Sequence, residues 1–184
     1  MALGHLHLSK LSSFIMKTLL VTFLALALTT LVSGKSSPTE IAQVLDRSEV
    51  KGGFIVHLGA SDGEATAALR PSEAYQVHAL VTNSSKLDEV REGIRKKAEA
   101  YGPVAADSWK GGQLPYIDNM VNLLLVEEGN EVTQKEILRV LTPLGKAFQR
   151  KNGEWHAIDK SWPKEIDEWT HYLHGADGNA VAKD

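Results

Sequence analysis

None of the 184 residues is a cysteine, and that absence excludes disulfides, thiolate metal sites, a cysteine nucleophile and the lipidated cysteine of a lipoprotein anchor. Basic charge is also scarce: 20 Lys and Arg face 23 Asp and Glu, a formal charge of −3 with no basic run. A protein that neutralises nucleic-acid phosphates needs clustered Lys and Arg, so no nucleic-acid partner is expected. A Walker loop, a Gly-x-Ser-x-Gly elbow and a His-Glu-x-x-His pair are missing too. What is there is an ordinary globular composition, 43% hydrophobic and 23% charged.

The run Thr18 to Val32, TLLVTFLALALTTLV, holds fifteen residues without a charge, preceded by Lys10 and Lys17 and followed by Ser33-Gly34-Lys35. A basic flank, a short apolar stretch and small residues beyond it are the parts of a secretory signal peptide, here residues 1–34. The run falls short of the roughly 20 residues that span a bilayer, and an uncleaved signal anchor is the alternative, the one membrane contact expected. Met16 opens a second, more conventional signal, so Met1 and Met16 are both candidate starts. Export to the periplasm or the outside is the expectation. Cleavage after Gly34 would leave 150 residues with 18 basic and 23 acidic side chains, enough for one domain with a sizeable core.

The rest of the chain alternates between two periodicities. Ile41, Val44 and Leu45 predict a helix from Pro38 to about Val50, ended by Gly52-Gly53. Phe54 to Leu58 reads as a buried strand, and Glu64 to Leu69 as a helix stopped by Pro71. Tyr75 to Val81 is a second strand. Leu87, Val90, Ile94 and Ala98 stripe a helix from Lys86 to Ala100 that Ser84 or Ser85 would cap. A weak third strand is expected at Pro103 to Ala106 and a strong fourth at Val121 to Val126. Thr133 would cap a helix running through Leu141 and stopped by Pro143-Leu144-Gly145, with a hairpin turning at Lys151-Asn152-Gly153.

Strands alternating with helices predict an α/β fold: a doubly wound, mostly parallel sheet with a short C-terminal hairpin and arm. The domain would cover residues 35–160, with 161–184 as an arm or linker. Such sheets bind ligands beyond the carboxyl ends of their strands. That directs attention to the loop after Leu58, the residues after Leu80, and Asp107 to Asp118. In the first of these, Gly59 permits a sharp turn, Gly63 permits close packing of the next helix, and the amides opening the helix are available to an anion.

The run VHLGASDGEATAAL from Val56 to Leu69 resembles the first motif of class I S-adenosylmethionine-dependent methyltransferases. Gln113-Leu114-Pro115-Tyr116-Ile117-Asp118-Asn119-Met120-Val121-Asn122-Leu123 resembles the segment before their fourth strand. Arg139-Val140-Leu141-Thr142-Pro143-Leu144-Gly145 resembles the turn after their next helix. In order, the three cover about Gly53 to Phe148. The run Glu165 to Ala182 resembles the junction between such a module and a pyrroloquinoline-quinone-type β-propeller in exported planctomycete proteins, which makes a β-propeller domain or protein the expected partner.

The resemblance implies a Rossmann-like methyltransferase fold and S-adenosylmethionine as cofactor. It places the cofactor across Gly59, Ala60, Ser61, Asp62 and Gly63, its ribose near Val81 and Thr82, and its adenine near Asp107 and Ser108. It supplies no catalytic residue. The departures are specific. His57 stands where the family has an acid that orders the loop and the amino-acid end of the cofactor. Ser61 replaces a glycine, Asn122 stands where an Asp is common, and Val81 or Thr82 stands where an acid takes both ribose hydroxyls. Losing such a charge-assisted contact costs about 1.5–3 kcal/mol, roughly ten- to a hundredfold in affinity.

Other constellations are bland or open. Asp167, His171 and His174 fit a polar helix face better than a metal site, so no metal is expected. Glu127-Glu128 reads as a solvated loop pair before it reads as a general base. Trp155, Trp162 and Trp169 read as packing anchors for the arm or a partner domain, and Asn83-Ser84-Ser85 fits a glycosylation sequon. Two functions follow from the resemblance: an S-adenosylmethionine-dependent methyltransferase-like protein, a methyltransferase if its altered cofactor site is still active and a degenerate one if not, or a non-catalytic docking module of an exported propeller protein.

Overall fold

Contacts divide the chain into residues 1–34 and residues 35–184, and the computed structural model describes residues 35–97 and 102–163. The signal segment, Asp167, Trp169, His171 and His174 therefore lie outside the described residues. Among those described, no helix is long and apolar enough to cross a membrane, and no three His, Asp or Glu side chains are grouped to hold a metal.

Helix α1 (Pro38–Ser48) starts where Ser37 Oγ accepts the Glu40 amide and Pro38 fills the first turn, and it stops at Glu49, whose φ of 59° leaves the helical region. Strand β1 (Gly53–Leu58), helix α2 (Gly63–Ala67) and strand β2 (Tyr75–Val81) follow. A 3-10 turn at Ser84–Lys86 leads into α3 (Leu87–Lys96), and β3 (Val104–Ser108) and β4 (Val121–Val126) come next. Helix α4 (Gln134–Val140), capped by Thr133, passes directly into β5 (Leu141–Lys151) and β6 (Glu154–Asp159).

The six strands lie in the order β3-β2-β1-β4-β5-β6. All neighbours are parallel except the β5–β6 hairpin, so the expected doubly wound, mostly parallel sheet is present. Parallel strands are buried on both faces and sort their side chains with a period of two. Ile55, Val77, Ala79, Leu123 and Leu125 enter a core with residues of α1, α2 and α3. Val56, Leu58, Leu80, Leu124 and Val126 meet Ile137 and Val140 of α4, together with Trp109, Leu114 and Tyr116 from the irregular segment between β3 and β4.

Several expectations need correction at their ends: the helix expected from Glu64 to Leu69 runs from Gly63 to Ala67. The third strand runs two residues beyond Ala106, to Ser108. The described part of the helix expected from Lys86 to Ala100 is regular only to Lys96. The helix expected to run through Leu141 ends at Val140, and Pro143 does not stop it. Leu141 is already paired with Val121 of β4, and the next pair is Leu123 with Lys146, so Thr142 to Gly145 bulge out of the ladder. Pro143 has no amide to give to a sheet, and a bulge tolerates that. The hairpin turns at Asn152 and Gly153 with φ of 52° and 80°, the two positive values that an Asn-Gly turn of type I′ requires.

Candidate functional site

Gly59 ends β1 with φ of 81° and gives its amide to the Leu80 carbonyl at 2.8 Å. A Cβ there would overlap the Asn130 side-chain amide, which is tied to the Glu127 and Glu128 carbonyls. Gly63 lies against the backbone of α3, where a Cβ would strike the Val90 carbonyl and the Ile94 amide. The close helix packing expected of this glycine is therefore present.

Two of the amides that open α2 are already engaged. Asp62 caps α2 with its own carboxylate, whose Oδ1 accepts the Glu64 and Ala65 amides at 2.8 and 3.4 Å. Ala60 is buried in the core, and the Ser61 carbonyl lies 3.4 Å from Lys35 Nζ.

At the end of β2, Val81 turns its side chain into the core, 1% exposed, and its carbonyl takes the Trp109 amide at 2.9 Å. The first solvent-exposed side chain at this end is Thr82. In the sequon, Asn83 Oδ1 accepts from the Ser85 amide and hydroxyl at 3.2 and 2.7 Å. Ser108 is exposed beside Val81, its partner in register. Asp107 has both oxygens engaged: Oδ2 is 3.1 Å from His78 Nε2, and Oδ1 accepts from Arg91 Nη2 at 3.0 Å.

His57 is 1% exposed. Its Nδ1 is 3.0 Å from Thr66 Oγ1 and its Nε2 is 3.1 Å from Glu127 Oε1. Burial pushes the Glu127 carboxyl up, but the hydrogen bonds from His57 and Ser36 and the charges of His57 and Arg150 outweigh it, so the carboxyl lies below the usual range. Glu127 thus holds a carboxylate, and Nε2 of His57 carries the hydrogen between them. Thr66 Oγ1 is also 2.9 Å from the Asp62 carbonyl. The single hydroxyl hydrogen of Thr66 serves either that carbonyl, with Nδ1 of His57 donating to the oxygen, or Nδ1 itself.

On the other side of Glu127, Arg150 reaches Oε2 at 3.6 Å, Glu40 Oε1 at 3.3 Å and Ser36 Oγ at 2.6 Å. Glu128 is exposed, as expected of the pair, and its carboxylate accepts the Asn152 and Gly153 amides of the hairpin turn at 2.8 and 3.3 Å, whereas Glu127 is largely withdrawn from solvent. Asn122 likewise has a structural task, its Oδ1 accepting the Phe54 amide at 2.9 Å. Trp155 packs into the core and gives its indole N–H to Glu40 at 2.9 Å, whereas Trp162 is 46% exposed.

Two motifs that are separate in sequence form one unit in space. Arg139 donates five hydrogen bonds: to the Leu114 and Tyr116 carbonyls, to Asp118 Oδ1, and to both oxygens of Glu136. Glu136 Oε1 in turn accepts the Leu114 amide at 2.7 Å. The Arg139 bond, opposed by partial burial, and then the Leu114 amide hold the Glu136 carboxyl below its usual range. Beside this unit, the Tyr116 hydroxyl donates to His78 Nδ1 at 2.8 Å. Burial, and then the Asp107 charge, push the Tyr116 phenol well above its ordinary value, so it stays neutral; the Asp107 carboxylate can only accept, so Nε2 of His78 carries the hydrogen between them. Sequence reasoning did not find Arg150, His78 or this role of Arg139. The pairing of Leu80 with Asp107 brings His78 beside that carboxylate, and no local pattern encodes such a register.

A cleft of about 590 Å³ opens over the second face at the amino halves of β2 and β3, lined by Phe54, Gln76, His78, Tyr116, Ile117 and Met120 among others. It opens toward the strand ends opposite those where the resemblance places a cofactor, although His78 of its lining is 3.1 Å from Asp107.

The sequence matches no protein-family model and no curated protein. Its structure is similar to solved ones. A candidate S-adenosyl-L-methionine-dependent methyltransferase from Methanococcus maripaludis aligns over 61% of this chain and 53% of its own, with TM-score 0.50 and 19% identity. Geranyl diphosphate methyltransferase, solved in complex with S-adenosylmethionine, aligns over 61% and 48%, with TM-score 0.52 and 13% identity. The (4+2)-cyclase SpnF aligns over 59% and 43%, with TM-score 0.50 and 18% identity. The chain spans about half the length of these structures. At such identities the likeness is one of fold, and a cyclase among the matches shows that the fold does not fix the reaction. The chain has the Rossmann-like fold of class I S-adenosylmethionine-dependent methyltransferases.

Proposed function

We propose that this chain is a methyltransferase-like protein whose S-adenosylmethionine site is degenerate, kept as a scaffold rather than as a methyl-transfer enzyme. One observation carries the reading: Asp62, Asp107 and Glu127, carboxylates near the ends of β1, β3 and β4, are already engaged within the chain. Asp62 is bound to the amides of α2, Asp107 to His78 and Arg91, and Glu127 to His57 and Arg150. A cofactor with an ammonium group and a ribose diol would have to compete with these bonds, least strongly at Asp107, whose side chain is 62% exposed and whose pairs are screened by water. The residues present therefore fit S-adenosylmethionine poorly. Export, read from the segment before Lys35, supports the same view because S-adenosylmethionine is made in the cytoplasm. It is also consistent with a docking role beside a β-propeller domain or protein.

Calorimetric titration of the protein with S-adenosylmethionine and S-adenosylhomocysteine tests the proposal. The expected outcome is no heat, or a dissociation constant no tighter than about 1 mM, an affinity of some 4 kcal/mol. Micromolar binding would overturn it and return the chain to the enzymes.

A further inference from the structure

A parallel sheet ordinarily buries both faces under helices, and the first face of this one does so. On the second face the crossing from β3 to β4 is irregular: Trp109 to Met120 holds no helix or strand. The register sets Phe54 beside Gln76 and His78 beside Ala105. These side chains share that face and line the cleft of about 590 Å³, together with Tyr116, Ile117 and Met120 of the irregular segment. The cleft therefore exists because a short unstructured crossing stands where a helix would cover the sheet.

Three rings meet in it at a corner. Phe54 and His78 lie 34° from parallel with centroids 6.5 Å apart. Tyr116 stands at 72° to Phe54 and 84° to His78, with centroids 5.5 and 5.8 Å away. A flat aromatic guest in such a corner stacks on one ring and meets another edge-on, the two arrangements that aromatic pairs prefer. The corner is set before a guest arrives, because the Tyr116 hydroxyl and Asp107 hold the two nitrogens of His78 and Arg139 holds the Tyr116 carbonyl. Such preorganisation lowers the entropy lost on binding.

The rest of the lining defines the guest further. No Lys or Arg is part of it, so an anionic group would meet no counter-charge, and the Asp107 carboxylate beside His78 would repel one. Gln76 is exposed and its side-chain amide makes no hydrogen bond among the described residues, so it offers a donor and an acceptor together. Ile117 and Met120, 74% and 41% exposed, present apolar surface that a bound molecule would take out of water, and the thioether adapts to the shape it meets. We propose that this cleft binds an uncharged, flat heteroaromatic compound of two or three fused rings, whose edge pairs an amide-like donor and acceptor with Gln76. The volume lies within the range of small-molecule sites, about 300–1,000 Å³. The proposal is independent of the cofactor question, because neither Gln76 nor the three rings belong to the residues assigned to S-adenosylmethionine.

The test is an NMR titration of the backbone amides of the protein. Quinazolin-4-one, uncharged at neutral pH and bearing a lactam edge, is the probe, and naphthalene-2-sulfonate, flat but anionic, is the control. The probe should shift the amides of Gln76, Ala105 and Ile117 and saturate with a dissociation constant below about 1 mM, while the control should bind at least about tenfold more weakly. Gln76→Leu and Ile117→Ser change exposed side chains, so the fold should survive both. Each should weaken the probe about fivefold, the first by loss of hydrogen bonds and the second by loss of apolar contact. No shift at about 10 mM probe would overturn the proposal, as would shifts gathered elsewhere or an affinity that both variants leave unchanged. A control that binds as tightly as the probe would overturn it too. If the same amides move on dilution of the protein alone, a second copy covers the cleft and the proposal falls.

Discussion

Leu123 and Leu124 are neighbours on β4, both fully buried, yet they face different worlds. Leu123 lies with residues from three helices, α1, α2 and α3. Leu124 lies under one short helix, α4, and the irregular segment that carries Trp109, Leu114 and Tyr116. A helix satisfies its own backbone, so it can cover a sheet with apolar side chains alone. An irregular segment cannot. Its carbonyls and amides need partners, and here Arg139, Glu136 and the Asn119 contacts supply them. One face of this molecule is specified by packing, the other by a polar staple as well.

The largest effects should come from truncating the two leucines, and their order tests the comparison. Leu123→Ala should cost about 4 kcal/mol and Leu124→Ala about 3 kcal/mol, because the irregular segment can settle into the space left on the second face whereas three packed helices cannot. Denaturant unfolding of both variants measures this. A larger loss for Leu124→Ala would show that the second face is as rigidly packed as the first.

Arg139→Met should come next, at about 2–3 kcal/mol, since the change removes five hydrogen bonds but keeps an apolar stem. Its signature is local. Hydrogen exchange at the Leu114 and Tyr116 amides should quicken well beyond the global change, while the amides of α3 should follow global stability. Equal changes in both places would mean that Arg139 supports the whole fold rather than one face.

The same contrast decides how much the sequence discloses. Strands buried on both faces appear as unbroken apolar runs such as Val121 to Val126, and Thr133 announces a helix start because a side-chain oxygen three residues before an amide is a local event. The bulge from Thr142 to Gly145 is not local. Pro143 looks like a stop, and only the pairing of Leu141 with Val121 makes it an interruption within a strand. At the candidate site, the missing acids at residues 57 and 81 are legible as absences. That Asp62 and Asp107 are already occupied is not, since it depends on where α2 starts and on the register that sets His78 against β3.

A smaller effect should follow Glu127→Gln, which keeps an acceptor for His57 but removes the charge. The native carboxyl lies below its ordinary value of 4.5. A depressed carboxyl stabilises the fold at pH values above its unfolded pKa, and that contribution is lost as pH falls through the native pKa. The variant should therefore be less stable than the parent by about 1–2 kcal/mol at pH 7, and the two should converge as pH falls below about 4. Melting curves from pH 7 to pH 3 give the comparison. A gap that stays constant over that range would place the loss in packing rather than in charge.

Tyr116→Phe should cost least, about 1 kcal/mol, the worth of one neutral hydrogen bond. The ring still packs edge-on against Phe54, with centroids 5.5 Å apart, so the apolar part of the second face survives. What changes is the imidazole beside it. In the parent protein the Tyr116 hydroxyl occupies His78 Nδ1 and Asp107 faces Nε2, which fixes one tautomer; nitrogen NMR should show the hydrogen on Nε2. Without the hydroxyl, Nδ1 loses that donor and the ring is held only through Asp107, so the His78 resonances should broaden or split while those of His57, wired separately to Thr66 and Glu127, stay in place. If the His57 signals move as well, the two polar networks are coupled through the sheet, and the division between a packed face and a stapled face is too sharp.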